Sequence, residues 1–172
     1  KTVYLISNLN LEDKEMKSQI QVFKIGGEIL YEKEFKNEII LYSNFVNKDE
    51  IIIMTDNSLY YLNYGNILWK KSFQLVKDIY IDKRNIHLLY GNTLEKISFK
   101  GNVGKETSFS EEYKNIVGYD NNIILYGDEY IMGLKDGRKV FKFKSEDTII
   151  GAMIDGKNLV IVYKDRLDIR SL

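Results

Sequence analysis

The 172-residue chain contains no cysteine and no proline, and it has one alanine (Ala152), one histidine (His87) and one tryptophan (Trp69). The lack of cysteine excludes disulfides, zinc-thiolate sites and iron-sulfur clusters, yet it leaves the compartment open. A single histidine excludes any site built on two imidazoles. With so little alanine the chain is poor material for helices. Its longest apolar runs, such as Leu159 to Tyr163, fall far short of the roughly 20 residues that a membrane-spanning helix needs. The formal net charge is zero and the lysines are spread along the chain. There is thus no basic stripe to track a phosphate backbone, and nucleic acid is not an expected partner. No phosphate-binding glycine loop is present, and no cofactor is expected.

What the chain does have is isoleucine (23), tyrosine (13) and phenylalanine (8), a composition suited to strands. Lysine outnumbers arginine 21 to 4, and with so much Ile, Asn and Tyr this points to an AT-rich bacterial genome. The first residue is Lys1, which reads as a processed or excised chain with any signal or membrane anchor upstream.

The stretch Ser58 to Phe73, SLYYLNYGNILWKKSF, organises the rest. Leu59 to Asn63 reads as a strand, Tyr64-Gly65-Asn66 as a tight turn, and Ile67 to Phe73 as the returning strand. The layout recurs around Gly27, Gly101 and Gly137, at spacings of 38, 36 and 36 residues. Four residues after each glycine comes Tyr31, Trp69, Lys105 or Phe141, and eight residues after it Phe35, Phe73, Phe109 or Ser145. An apolar run precedes each of the last three glycines: Ile51 to Met54, Ile86 to Tyr90 and Ile123 to Tyr126. One further strand precedes each of these runs and the further run Leu159 to Tyr163, at Glu38 to Tyr42, Asp78 to Ile81, Ile116 to Tyr119 and Thr148 to Met153. The segment Asn8 to Ser18 breaks the rhythm and reads as an inserted surface loop or short helical turn.

Four short antiparallel strands every 36 to 38 residues is the period of a β-propeller blade. The expected fold is all-β, one propeller or partial propeller over residues 1–172. Its four to five blades are expected near 2–35, 38–73, 78–109, 115–144 and 148–172. About eighteen strands in all leave both terminal blades one strand short. An incomplete blade exposes an apolar face, so missing blades, a second chain or a compact closure is expected to cover it, and self-association through the terminal blades is one expectation. A β-sandwich or barrel is the competing architecture.

The hairpin resembles the repeats of pyrroloquinoline-quinone-like and WD-like propellers, with Leu59-Tyr60-Tyr61-Leu62-Asn63, then Gly65-Asn66-Ile67-Leu68-Trp69 in the place of their Leu-Tyr-Ala-Leu-Asp, turn, Gly-Lys-Val-Leu-Trp. The chain is also similar to membrane-anchored propeller proteins of Gram-positive bacteria. That resemblance implies an extracytoplasmic, cell-envelope location, with the cytoplasm as the alternative.

Candidate sites are few. Glu38, Asp78, Asn115 and Asp147 stand where the first strand of each blade begins, and would form a polar ring at a channel mouth able to hold a cation or a sugar. The competing reading has them bond the backbone at the turn entering each strand. His87 lies on a buried-type strand with no nucleophile motif beside it, and its expected role is structural. The repeat glycines serve as turn residues, and Tyr31, Trp69, Phe141, Phe35, Phe73 and Phe109 are expected to pack between blades. No residue is expected to be catalytic or to bind a metal. The expected function is a non-catalytic interaction scaffold for a protein or peptide; the alternative is small-ligand binding, or an enzyme, at the channel mouth.

Overall fold

The computed structural model describes residues 3–12, 15–120 and 122–172. These form eighteen strands in five antiparallel sheets, with no helix among the described residues. The chain divides into two compact units, Lys1–Val76 and Lys77–Leu172.

The first unit holds two sheets. The first is β1 (Val3–Glu12), β2 (Glu15–Lys24) and β3 (Ile29–Lys36). The second is β4 (Ile40–Phe45), β5 (Glu50–Thr55), β6 (Ser58–Asn63) and β7 (Asn66–Ser72), paired in chain order. β5 and β6 are buried on both faces, so they are continuous apolar runs rather than alternating ones. Ile20, Val22 and Phe35 of the first sheet pack on Ile51, Ile53, Tyr60 and Leu62 of the second.

The second unit holds three sheets: β8 (Val76–Ile81) to β11 (Val103–Ser108), β12 (Asn115–Tyr119) to β15 (Arg138–Lys144), and β16 (Gly151–Asp155) to β18 (Leu167–Ser171). Between these lie β9 (Asn85–Tyr90), β10 (Thr93–Ser98), β13 (Asn122–Tyr126), β14 (Tyr130–Lys135) and β17 (Asn158–Val162). One core joins Leu89, Leu94 and Tyr113 to Ile123, Leu125, Met132 and Leu134. A second joins Ile124 and Ile131 to Ile149, Leu159, Ile161 and Tyr163.

The hairpin turns follow from backbone handedness. Tyr64 and Gly65 both have positive φ (47° and 76°), as do Asp136 and Gly137 (49° and 72°). Two such residues in a row make the turn whose twist matches the flanking strands. Gly27 (89°) and Gly101 (81°) serve longer turns.

Two sequence expectations are corrected. Asn8 to Ser18 is neither a loop nor a helical turn: β1 and β2 pair continuously from Val3↔Lys24 to Glu12↔Glu15, so the insertion lengthens a hairpin. Asp13 and Lys14 of that segment lie outside the described residues. The inner strands also start elsewhere than expected. β4 begins at Ile40 because Ile39 is held by Asp56, whose Oδ1 accepts the Ile39 N–H at 3.0 Å. β16 begins at Gly151 rather than Thr148, because the Ile149 N–H is given to the Asp128 carbonyl at 2.8 Å.

The two terminal sheets are short in different ways. β3 carries the Tyr31 and Phe35 positions that mark an outermost strand, so β1, β2 and β3 correspond to the second, third and outermost strands of a four-stranded sheet. β16, β17 and β18 stand 36 residues after β12, β13 and β14, so they correspond to the first three strands of the fourth sheet.

Candidate functional site

The four residues expected at a channel mouth occupy unlike positions. Glu38 precedes β4 and is buried. It accepts hydrogen bonds from Thr55 Oγ1 (2.5 Å), Tyr60 OH (2.6 Å) and Lys70 Nζ (3.0 Å). Burial pushes its carboxyl up, but these three donors outweigh it and hold the group below the ordinary value. Asp78 lies inside β8 and accepts the N–H groups of Ile79 (2.8 Å) and Ile116 (2.9 Å), which ties β8 to β12 beside Asn115. Burial raises its carboxyl pKa, with the two backbone donors opposing. Asp147 sits in the segment before β16 and pairs with Arg166 at 2.7 Å. All three carboxylates thus have partners inside the fold.

The repeat aromatics are placed as follows. The Tyr31 ring lies where a Cβ on Gly65 would come within 2.9 Å of it, and Phe35 meets Tyr60 edge-on at 4.8 Å. Trp69 stacks on Tyr61 of its own sheet at 5.6 Å. Phe73 gives its N–H to the Asn57 carbonyl, and Phe109 meets Tyr113 edge-on at 5.3 Å. Phe141 covers Gly133, where an added Cβ would come within 2.2 Å of the ring, and joins the core under the fifth sheet.

His87 is buried, with Nε2 2.8 Å from Asp82 Oδ2 and its ring beside Tyr80. Burial lowers its pKa, helped by Lys96 and opposed by Asp82, so the imidazole is neutral at pH 7. Asp82 also accepts the N–H groups of Arg84 and Asn85, so the pair fastens the β8–β9 turn to β9. His87 also forms one wall of a cavity of about 150 Å³ between the third and fourth sheets. The cavity floor is Leu94, Ile123 and Leu134, and Lys96, Lys105 and Asp136 stand at its mouth. The sequence showed Lys105 in the place of an aromatic. It did not show that Lys96 and His87 lie beside it, which requires the strand register.

The free face of the fifth sheet is the second candidate. In the fourth sheet Val117, Ile124, Tyr126 and Ile131 lie in the core beneath the fifth. Their counterparts 36 residues on are Met153, Val160, Val162 and Leu167, which the register lines up on one face with Ile169. Met153, Leu167 and Ile169 are 55%, 61% and 68% exposed.

Antiparallel sheets of this size, repeated at this period and stacked through apolar faces, define a β-propeller. Solved structures agree. The chain is similar to BamB from Moraxella catarrhalis (TM-score 0.68, 10% identity, covering 91% of this chain and 58% of that one). It is similar to the Pan2 WD40 domain of Neurospora crassa (0.66, 13%, 96% and 61%). BBS1N, solved in complex with ARL6DN, is also similar (0.63, 11%, 90% and 59%). The chain spans about three fifths of the length of these propellers. It belongs to the family DUF5711, a family of unknown function whose profile matches residues 1–172. Comparison with curated proteins gives no match. No helix among the described residues is long and apolar enough to cross a membrane.

Proposed function

We propose that this protein is a non-catalytic β-propeller interaction scaffold that binds a protein partner through the fifth sheet. The observation that carries this reading is the apolar face of Met153, Val160, Val162, Leu167 and Ile169, next to β18, the edge strand of this sheet among the described residues. The same face of the fourth sheet is buried under a neighbouring sheet. Exposed patches of this kind mark interaction sites, and an unpaired strand edge offers its N–H and C=O groups to an incoming strand. The occupant is an extended segment of another polypeptide that pairs with β18 and lays alternate apolar side chains beside Leu167 and Ile169. The similar BBS1N fold, solved with a protein partner, supports the reading.

The test is selection of displayed random peptides on the purified chain and on the Leu167→Lys/Ile169→Lys double variant. The expected result is enrichment of alternating apolar peptides that bind the wild type, slow amide exchange at residues 167–171, and fail on the variant. Peptides that bind both proteins equally, or that protect other amides, overturn it. We place the scaffold on the extracytoplasmic side of a bacterial envelope, on the resemblance to anchored propellers. Because the chain has no cysteine, one introduced at exposed Leu75 reports location. Labelling by a membrane-impermeant maleimide in intact cells supports the placement, and protection overturns it.

A further inference from the structure

The cavity beside Lys105 is independent of the fifth sheet. In four sheets one row of cross-strand neighbours is apolar. The rows are Leu5–Val22–Tyr31, Ile52–Tyr61–Trp69 and Ile124–Gly133–Phe141, with Val160–Ile169 in the fifth. In the third sheet the row is His87–Lys96, and the register shifts between Glu95↔Glu106 and Ile97↔Val103, which leaves Gly104 and Lys105 in the irregular stretch opposite Lys96. Two ammonium groups side by side on adjacent strands repel each other. The Lys96 side chain makes no hydrogen bond or ion pair among the described residues. Lys105 reaches Gly137, the repeat counterpart of the glycine under Tyr31, and donates to its carbonyl at 2.7 Å. A thin lysine stem thus runs where other repeats place a ring, and the space it leaves is the cavity of about 150 Å³.

We propose that this slot binds a single aromatic ring carrying one negative charge, such as a small aromatic carboxylate. A core cavity of about 150 Å³ is large enough to take one benzene ring. The ring rests on Leu94, Ile123 and Leu134, and the anion lies between Lys96 and Lys105, whose ammonium groups also flank the ring face. Asp82, Asp120 and Asp136 line the same slot, so the ligand's charge is limited to one and has to be held at the two ammonium groups, away from these carboxylates. The Asp82 carboxylate is already engaged by His87 and two backbone N–H groups.

The experiment is an NMR titration of the full chain with phenylacetate, acetate, benzyl alcohol and acetyl-Gly-Gly-Phe with a free carboxylate. Phenylacetate is expected to shift amides around residues 87–137 with a Kd below about 1 mM, and acetate and benzyl alcohol to bind at least about tenfold more weakly. Lys105→Phe, which restores the ring found in the next repeat, is expected to abolish binding and raise Tm by a few degrees. Lys96→Ala is expected to weaken binding about tenfold at unchanged Tm. Tighter binding of the peptide assigns the ring to a chain end, and weaker binding assigns it to a free acid; both keep the ring-and-anion chemistry. Acetate binding as well as phenylacetate, or Lys105→Phe binding like the wild type, overturns the proposal. So does a Lys96→Ala variant that binds phenylacetate with wild-type affinity.

Discussion

Glu38 shows what a single side chain does in this fold. Its carboxylate gathers Thr55, Tyr60 and Lys70 from the end of β5, from β6 and from β7, so it fastens the entry of the second sheet to three of that sheet's segments. Glu38→Ala leaves a buried hydroxyl and an ammonium without their acceptor and is expected to cost about 2–4 kcal/mol by urea denaturation. Its folded pKa is depressed, so the stabilisation is present above the ordinary value of 4.5 and is lost as pH falls through the folded value. The gap between wild type and variant should therefore close in acid. Tyr113 is the opposite case. It is 1% exposed and its hydroxyl finds no partner among the described residues, which leaves the phenol pushed up to about 12 by burial, with Glu111 adding to the shift. Tyr113→Phe removes an unsatisfied group without opening a cavity, so Tm should stay level or rise; a clear fall would show a bond that the geometry does not contain. The sequence marked Glu38 as a polar residue at a strand entry. It could not supply Thr55, Tyr60 and Lys70, which stand 17, 22 and 32 residues away and meet it only after three strands have paired.

Among the elements, the strands that follow the repeat were legible because the signal was redundant. Gly65, Trp69 and the run Ile51 to Met54 recur together, and five sheets of three, four, four, four and three strands follow from them. The β1–β2 hairpin was not legible. Asn8-Leu9-Asn10-Leu11 alternates over only four residues and has no counterpart in the other repeats, so the pairing of this segment with Met16 to Ser18 emerges only from the strand register. β9 carries the element whose stability should depend on pH. His87 is held neutral by burial, with Asp82 opposing, and its folded pKa lies below the ordinary 6.5. Below 6.5 the unfolded chain therefore takes up a proton that the folded chain does not, and stability falls as pH drops from there toward the folded value. The expected thermal profile has Tm declining from about pH 7 downward, and His87→Gln should flatten that part of the curve. A parallel decline in the variant would assign the effect to other groups.

For the chain as a whole, charge and exposed apolar surface act together. Its formal net charge is zero and its pI about 6.8, so near neutrality no net repulsion keeps copies apart. Met153, Leu167 and Ile169 are at the same time exposed on one sheet face. Solubility should therefore pass through a minimum near pH 6.8. Leu167→Lys/Ile169→Lys acts on both causes at once, since it interrupts the face and takes the net charge to +2. Both residues are exposed, so the double variant should keep Tm within a few degrees. Light scattering at pH 6.8 then separates the contributions. A matched variant with two lysines placed at exposed polar sites, Asn66→Lys/Ser72→Lys, carries the same charge and leaves the fifth sheet intact. If the face is what draws copies together, only the fifth-sheet variant lowers the scattered mass to that of one chain. If charge is what matters, the two variants scatter alike, and the case for the fifth sheet as the binding surface weakens with that result.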